Sequence, residues 1–363
     1  MAQTGKQERG LMEITDIAEG FRWQAEHATR AGAPITGKMV LAALAIAEAA
    51  DTATGRRMAA WRGAVLEDAM PLRIAGALHF LHLTGEEPRL APIYGGLVTD
   101  QGQIDAIVLE AARKFDTVLL PWLDGPPQTN EAGRSASVMG ALLWLAQKFG
   151  PKFQLIEIGA SAGINTMMAR YRYDLGGTTA GPSLSSMVIA PEWRGAAPPA
   201  GAVEIVDVAG CDLAPIDLTD EAQALRLKSY IWADARERMA RMDTAIAMAK
   251  RAAPDLVQMD AAEFVAQKLA EKQEAGVTRV LFHTVMWQYL PEATREAITS
   301  AMEAAGAEAT PERPLAWIAV ETNRATFRHE LKLRYWPKNG EGGEEAVQLA
   351  EAHPHGAWVE WQG

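Results

Sequence analysis

Glu157, Gly159, Ser161 and Gly163 stand at alternate positions directly after the apolar run 153–158. An acid followed by three small residues at the end of a strand-length segment is a turn a ligand can approach closely. With so little side chain in the way, main-chain N–H groups at a strand-to-helix junction are left open to polar groups. Two more acids follow later strand candidates, Asp212 after 203–208 and Asp260 at the end of 255–260. A further strand, 279–283, delivers His283, and Gln288 and Tyr289 come soon after.

The same letters, Gly159-Ala160-Ser161-Ala162-Gly163, also spell G-x-S-x-G, the elbow that presents a nucleophilic serine. Asp260 followed by His283, His353 or His355 supplies the acid and the base in the order serine hydrolases use, and Gly95-Gly96 offers backbone for an oxyanion. That chemistry needs several strands before the elbow, where the sequence reads helical, and it gives Glu157 no work. A third reading is a non-catalytic or degenerate α/β domain in which the turn serves packing alone.

The elements that must position these residues fall into two parts. Residues 1–125 read as a helical region. Apolar spacing near 3.6 marks 13–30, 39–50, 58–66, 71–83 and 104–114. From 126 onward strands and helices alternate. A helix capped by Thr129 or Asn130 runs to Phe149 and stops at Gly150-Pro151. After the strand at 153–158 comes a helical pattern over 164–171, and then a Gly-, Pro- and Ser-rich insertion near 174–200. Helices follow over 219–251, broken once, 261–271 and 291–305, with a strand at 315–321. Segments 331–336 and 357–361 read as a closing antiparallel pair. This is the pattern of an α/β sheet covered on both faces.

Other clusters have plainer explanations. His79 and His82 share a helix face but lie among Leu78, Phe80, Leu81 and Leu83, as buried structural histidines would. His353 and His355 fit a turn before the last strand. No metal site is expected. Asn130, Glu131 and Arg134 either cap a helix or lie over a ligand, and Arg172 with Tyr171 and Tyr173 either stacks on a base or anchors the insertion.

The chain has 363 residues, 48% of them hydrophobic and 22% charged, with a formal net charge of −11. That balance argues against a broad nucleic-acid surface and against an anionic membrane. A single cysteine, Cys211, excludes an intrachain disulfide. The first twenty residues have no apolar signal core, and the early run 39–47 is too short to span a bilayer, so the expected compartment is the cytoplasm.

Glu157-x-Gly159-x-Ser161-x-Gly163 resembles the first motif of class I S-adenosylmethionine-dependent methyltransferases, with Ser161 where glycine is usual. The resemblance implies a Rossmann-like, mostly parallel sheet with an antiparallel C-terminal hairpin, preceded by the helical region. It implies S-adenosylmethionine at Glu157, Gly159, Ser161, Gly163 and Asn165, with its ribose on Asp212 and its adenine by Asp260. The helix start at Asn130 and Arg134 would lie over it. His283, Gln288, Tyr289 and Arg134 would face a small-molecule methyl acceptor. All of this requires a bare bend after Ile158, with both aspartates facing it. The longer words Gln128-Thr-Asn-Glu131, Glu157 to Asn165, Tyr171-Arg-Tyr173, Gly210-x-Asp212-x-x-Pro-x-Asp217 and His355-Gly-x-x-Val-x-Trp361 resemble the bacterial domain-of-unknown-function family 2332. That resemblance covers nearly the whole chain.

Overall fold

Helices dominate the first third of the chain in the computed structural model, which describes residues 14–337 and 346–363. The longer of them are α1 (Ile17–Arg30), α2 (Pro34–Ala49), α3 (Ala53–Ala59), α4 (Met70–Leu83) and α5 (Gln101–Lys114). Asp16 caps α1 through the Glu19 N–H, and Pro34 opens α2, where its missing donor is harmless. The helix expected over 58–66 instead ends at Ala59. Thr52 caps the Gly55 N–H at 2.9 Å, and Asp116 takes the Ala53 and Thr54 N–H groups, which starts α3 early and leaves 60–69 to turns.

The second unit holds α6 (Ser135–Phe149), after which α7 (Glu221–Ser229) returns to the first. Unit one is therefore 14–129 with 220–240, and unit two is 130–219 with 241–363. Sequence continuity hid this return. In unit one Asp234 accepts the Ile35 and Thr36 N–H groups and the Thr36 hydroxyl, and His79 Nδ1 lies 3.0 Å from the Ser229 carbonyl. The remaining helices are α8 (Arg236–Arg251), divided between the units, α9 (Ala261–Ala270) and α10 (Glu292–Ala307). Among the described residues no helix is long and apolar enough to cross a membrane.

Unit two is built on a nine-stranded sheet. Its strands are β1 (Lys152–Ile158), β5 (Glu192–Arg194), β6 (Glu204–Asp212), β7 (Leu256–Gln258), β8 (Thr278–Thr284), β9 (Leu315–Thr322), β10 (His329–Trp336), β11 (Val347–Ala352) and β12 (Trp358–Trp361). Their spatial order is β5-β12-β11-β10-β9-β8-β1-β6-β7. Neighbours from β7 through β9 pair in parallel, whereas β10, β11 and β12 pair antiparallel. The chain steps outward from β1 to β6 and β7, then crosses back to β8 on the other side of β1. Order reverses between β1 and β8, the crevice where open α/β sheets bind ligands. All seven residues of β8 are buried, because helices cover both faces of the sheet centre. On one face Ile158, Leu281 and Trp317 pack with Phe264 of α9 and Ile298 and Met302 of α10.

Three local expectations change. After the turn at 159–165 there is no α-helix, only a 3-10 turn at Thr166–Arg170. Tyr171 and Tyr173 plunge into the core with hydroxyls on the Ile164 and Met168 carbonyls, which diverts the chain into β2 (Arg172–Leu175), β3 (Thr178–Ala180) and β4 (Val188–Ile189), a separate small sheet. Neither Thr129 nor Asn130 caps α6, whose start is a 3-10 turn at Ala132–Arg134 with Glu131 accepting the Gly133 N–H. At the C-terminus the segments at 331–336 and 357–361 are not partners. β11 lies between β10 and β12, and its Gln-Leu-Ala-Glu-Ala gave no clean alternation.

Candidate functional site

The turn after β1 is forced into a left-handed backbone three times, at Gly159 (φ 65°), Ser161 (φ 54°) and Gly163 (φ 70°). Ser161 has a Cβ and so needs support there. Asp212 provides it, its Oδ2 accepting the Ser161 N–H at 2.8 Å while its Oδ1 accepts the Ala214 N–H at 2.9 Å. Asn130 Oδ1 accepts the Ile164 N–H at 2.8 Å.

Beneath the turn Glu157 is 1% exposed and receives a 3.4 Å bond from Asn165 Nδ2. Burial pushes its carboxyl up to about 8, against the pull of the Asn165 bond and the Arg134 charge, and Asp212 adds to the rise. At neutral pH Glu157 is mostly the neutral acid. Glu157 Oε2, Ser161 Oγ and Asn165 Oδ1 are all buried without a hydrogen-bond partner, which is costly unless something else satisfies them.

The space above the turn is taken by the protein itself. A Cβ on Gly159 would lie 2.8 Å from Met286 side-chain atoms, and one on Gly163 would lie 2.7 Å from Pro254. Asp260 caps α9 by accepting the Ala262 and Glu263 N–H groups. Of the residues expected to meet a cofactor, Glu157, Gly159, Ser161, Gly163, Asn165, Asn130 and Asp212 are therefore gathered at one turn, while Asp260 is occupied at a helix start. Arg134 donates from Nε to the Pro354 carbonyl. Gln288 and Tyr289 lie in the 3-10 turn Trp287–Tyr289, and Tyr289 is 73% exposed.

His283 belongs to a different feature, a cavity of about 220 Å³ on the sheet face along the carboxyl halves of β8 and β9. Trp317, Ala319 and Glu321 of β9 and Lys332 and Arg334 of β10 line it with His283, and Trp287 closes one side. His283 Nε2 accepts the Trp317 indole N–H at 3.0 Å, so in its neutral form Nδ1 carries the proton and donates it to Glu321 Oε1 at 2.7 Å. The Met286 and Trp287 N–H groups reach the same oxygen at 3.1 and 3.3 Å. Trp287 stacks on His283 with ring centres 4.9 Å apart. Glu321 thus holds the loop that sets Met286 against Gly159, and that loop carries a left-handed β-branched residue, Val285 (φ 53°).

Ser161 Oγ makes no hydrogen bond, and both ring nitrogens of His283 are engaged, so no serine–histidine pair is assembled at the elbow. His79 is held well below its usual value, at about 4, by burial, and stacks with His82 and Tyr94 in unit one. His355 N–H donates to His353 Nδ1 within the turn. Among the described residues no group of three His, Cys, Asp or Glu is placed to hold a metal ion.

Words far apart in sequence converge around this turn. Gly133 lies against the backbone of His355 and Gly356, Ser135 Oγ is 3.0 Å from the Tyr173 hydroxyl, and Trp361 packs on Gly140. Buried Glu131 pairs with Arg241 at 2.8 Å. A family described as an uncharacterized protein conserved in bacteria, DUF2332, matches residues 18–361. The chain belongs to that family. No curated protein and no solved structure matches the chain. Several of the segments that carry the resemblance thus touch one another through α6 and the turn. Sequence reasoning missed Trp317, Glu321, Lys332 and Arg334. The signal was available in Trp317-x-Ala319-x-Glu321, an alternation that ends in an acid at a strand's carboxyl edge.

Proposed function

We propose that unit two is an S-adenosylmethionine-dependent methyltransferase acting on a small molecule, with the cofactor at the β1 turn. The observation that supports this most is the parallel order β7-β6-β1-β8-β9 with its reversal beside that turn, together with three unpartnered polar atoms beneath it. The polar atoms suit an amino-acid tail: Asn165 Oδ1 would accept from its ammonium, the protonated Glu157 Oε2 would donate to its carboxylate, and Asp212 at the tip of β6 would accept from a ribose hydroxyl. The space does not fit while Met286 lies on Gly159, so binding requires the Met286 side chain to swing off the turn. Bound there, the cofactor supplies an electrophilic methyl group. The chain's share of the work is to align an acceptor and exclude water.

A second reading is a degenerate α/β domain. It is favoured by the use of both Asp212 oxygens and of Asp260 on the chain's own N–H groups. Calorimetric titration with S-adenosylmethionine and S-adenosylhomocysteine separates the two. Saturable heat at millimolar ligand is expected, and Met286→Ala should tighten binding by about tenfold, because a side chain that must be peeled from an apolar contact is gone. No heat from either protein supports the degenerate domain.

A further inference from the structure

The cavity beside His283 has the features of a ligand site that the methyl-transfer reading does not itself specify. Its floor is Ala319, whose small side chain leaves a gap on the sheet face between Trp317 and Glu321. Those two residues are four apart on β9, so their Cα atoms lie about 13 Å from one another along the strand. On the neighbouring strand Lys332 sits opposite Ala319 and Arg334 opposite Trp317. The Trp287 and Trp317 rings meet at 62° with centres 5.4 Å apart, making two apolar walls. At 220 Å³ the cavity is below the range of drug-sized pockets and holds a single ring with a substituent.

The polar demand of the cavity is specific. Arg334 is held over Trp317 and Trp336, with its guanidinium carbon 5.7 and 5.1 Å from the ring centres, and its Nη2 reaches Glu303 at 3.0 Å. Its Nε is buried and has no acceptor. A guanidinium keeps its charge, so this unmet donor calls for an oxygen from outside the chain. Lys332 pairs with Glu330 at 2.5 Å yet is 43% exposed, free to turn a second hydrogen toward the cavity. Glu321, the acid facing the cavity, has one oxygen already serving three donors.

We propose that this cavity binds a one-ring aromatic carboxylic acid, with the ring over Ala319 beside the two indoles and the carboxylate on Arg334 Nε and Lys332. As a methyl acceptor such an acid rests on the function proposed above; as a ligand it does not, and a titration without S-adenosylmethionine keeps the two failures apart.

The test is calorimetric titration of the full chain with benzoate, benzamide and inorganic phosphate. Benzoate should bind saturably below about 1 mM, with benzamide and phosphate each at least about tenfold weaker, the scale of one charge-assisted hydrogen bond or one stacked ring. Arg334→Gln should weaken benzoate by about tenfold or more, and Ala319→Leu should abolish its binding by filling the floor. Near-ultraviolet circular dichroism checks that the variants fold, and if Arg334→Gln does not, Ala319→Leu decides alone. Absence of benzoate binding, benzoate affinity unchanged in Ala319→Leu, or benzamide or phosphate binding as tightly as benzoate would overturn the proposal.

Discussion

Replacing Glu157 with Gln is expected to stabilise unit two above neutral pH and to flatten its stability between acid and alkaline conditions. The folded carboxyl is raised from 4.5 to about 8, chiefly by burial. Below pH 4.5 both folded and unfolded chains carry the proton and Glu157 imposes no penalty. As pH rises past 4.5 the unfolded chain ionises freely while the folded one holds its proton, so stability is lost progressively until pH passes 8. The full difference sets an upper limit of about 5 kcal/mol. A Gln at this site has nothing to ionise, and its amide can donate to a neighbouring acceptor such as Asn165 Oδ1. Urea midpoints of both proteins at pH 5, 7 and 9 check this, with the variant's advantage growing at each step. Parallel midpoints across the series would show that Glu157 is ionised and satisfied in the native state.

Gly356→Ala should be among the most damaging single changes in unit two. Gly356 has φ 70°, and a Cβ there would fall 2.3 to 2.5 Å from the carbonyl carbon, the oxygen and the Cα of Gly133. All three are backbone, so no side chain can swing aside. Separating the two segments would also disturb the Arg134 bond to the Pro354 carbonyl and the start of α6. A loss of about 3 kcal/mol or more is expected. Gly177→Ala is the control, because Gly177 also has positive φ (98°) but open space around it, and it should lose only about 1 kcal/mol. Equal losses in the two variants, measured by urea unfolding, would show that close approach contributes nothing beyond φ.

Much of the sheet was legible because its strands are short apolar runs with recognisable residues at or just past their ends: Glu157 before glycine, Asp212, Asp260, His283. Periodicity could not show that 220–240 returns to the first unit, since a helix reads the same wherever it docks. It also could not show that the pattern after Gly163 breaks into a 3-10 turn, a decision made by the buried hydroxyls of Tyr171 and Tyr173. The candidate site was legible in its glycines and its acid. What lay over them was not, because Met286 comes from a loop over 120 positions away and is set there by Glu321, whose partners are two main-chain amides and a histidine. The Arg334 donor was invisible for a similar reason, since its orphaned state follows from stacking on two tryptophans.

Methyl NMR of protein labelled at its methionine methyl groups tests the central claim most directly, with the Met286 signal assigned by its disappearance in Met286→Ala. If the β1 turn is a cofactor site closed by Met286, saturating S-adenosylhomocysteine will shift that signal to a solvent-exposed position. A Met286 signal that stays in place while the ligand is in millimolar excess would contradict it.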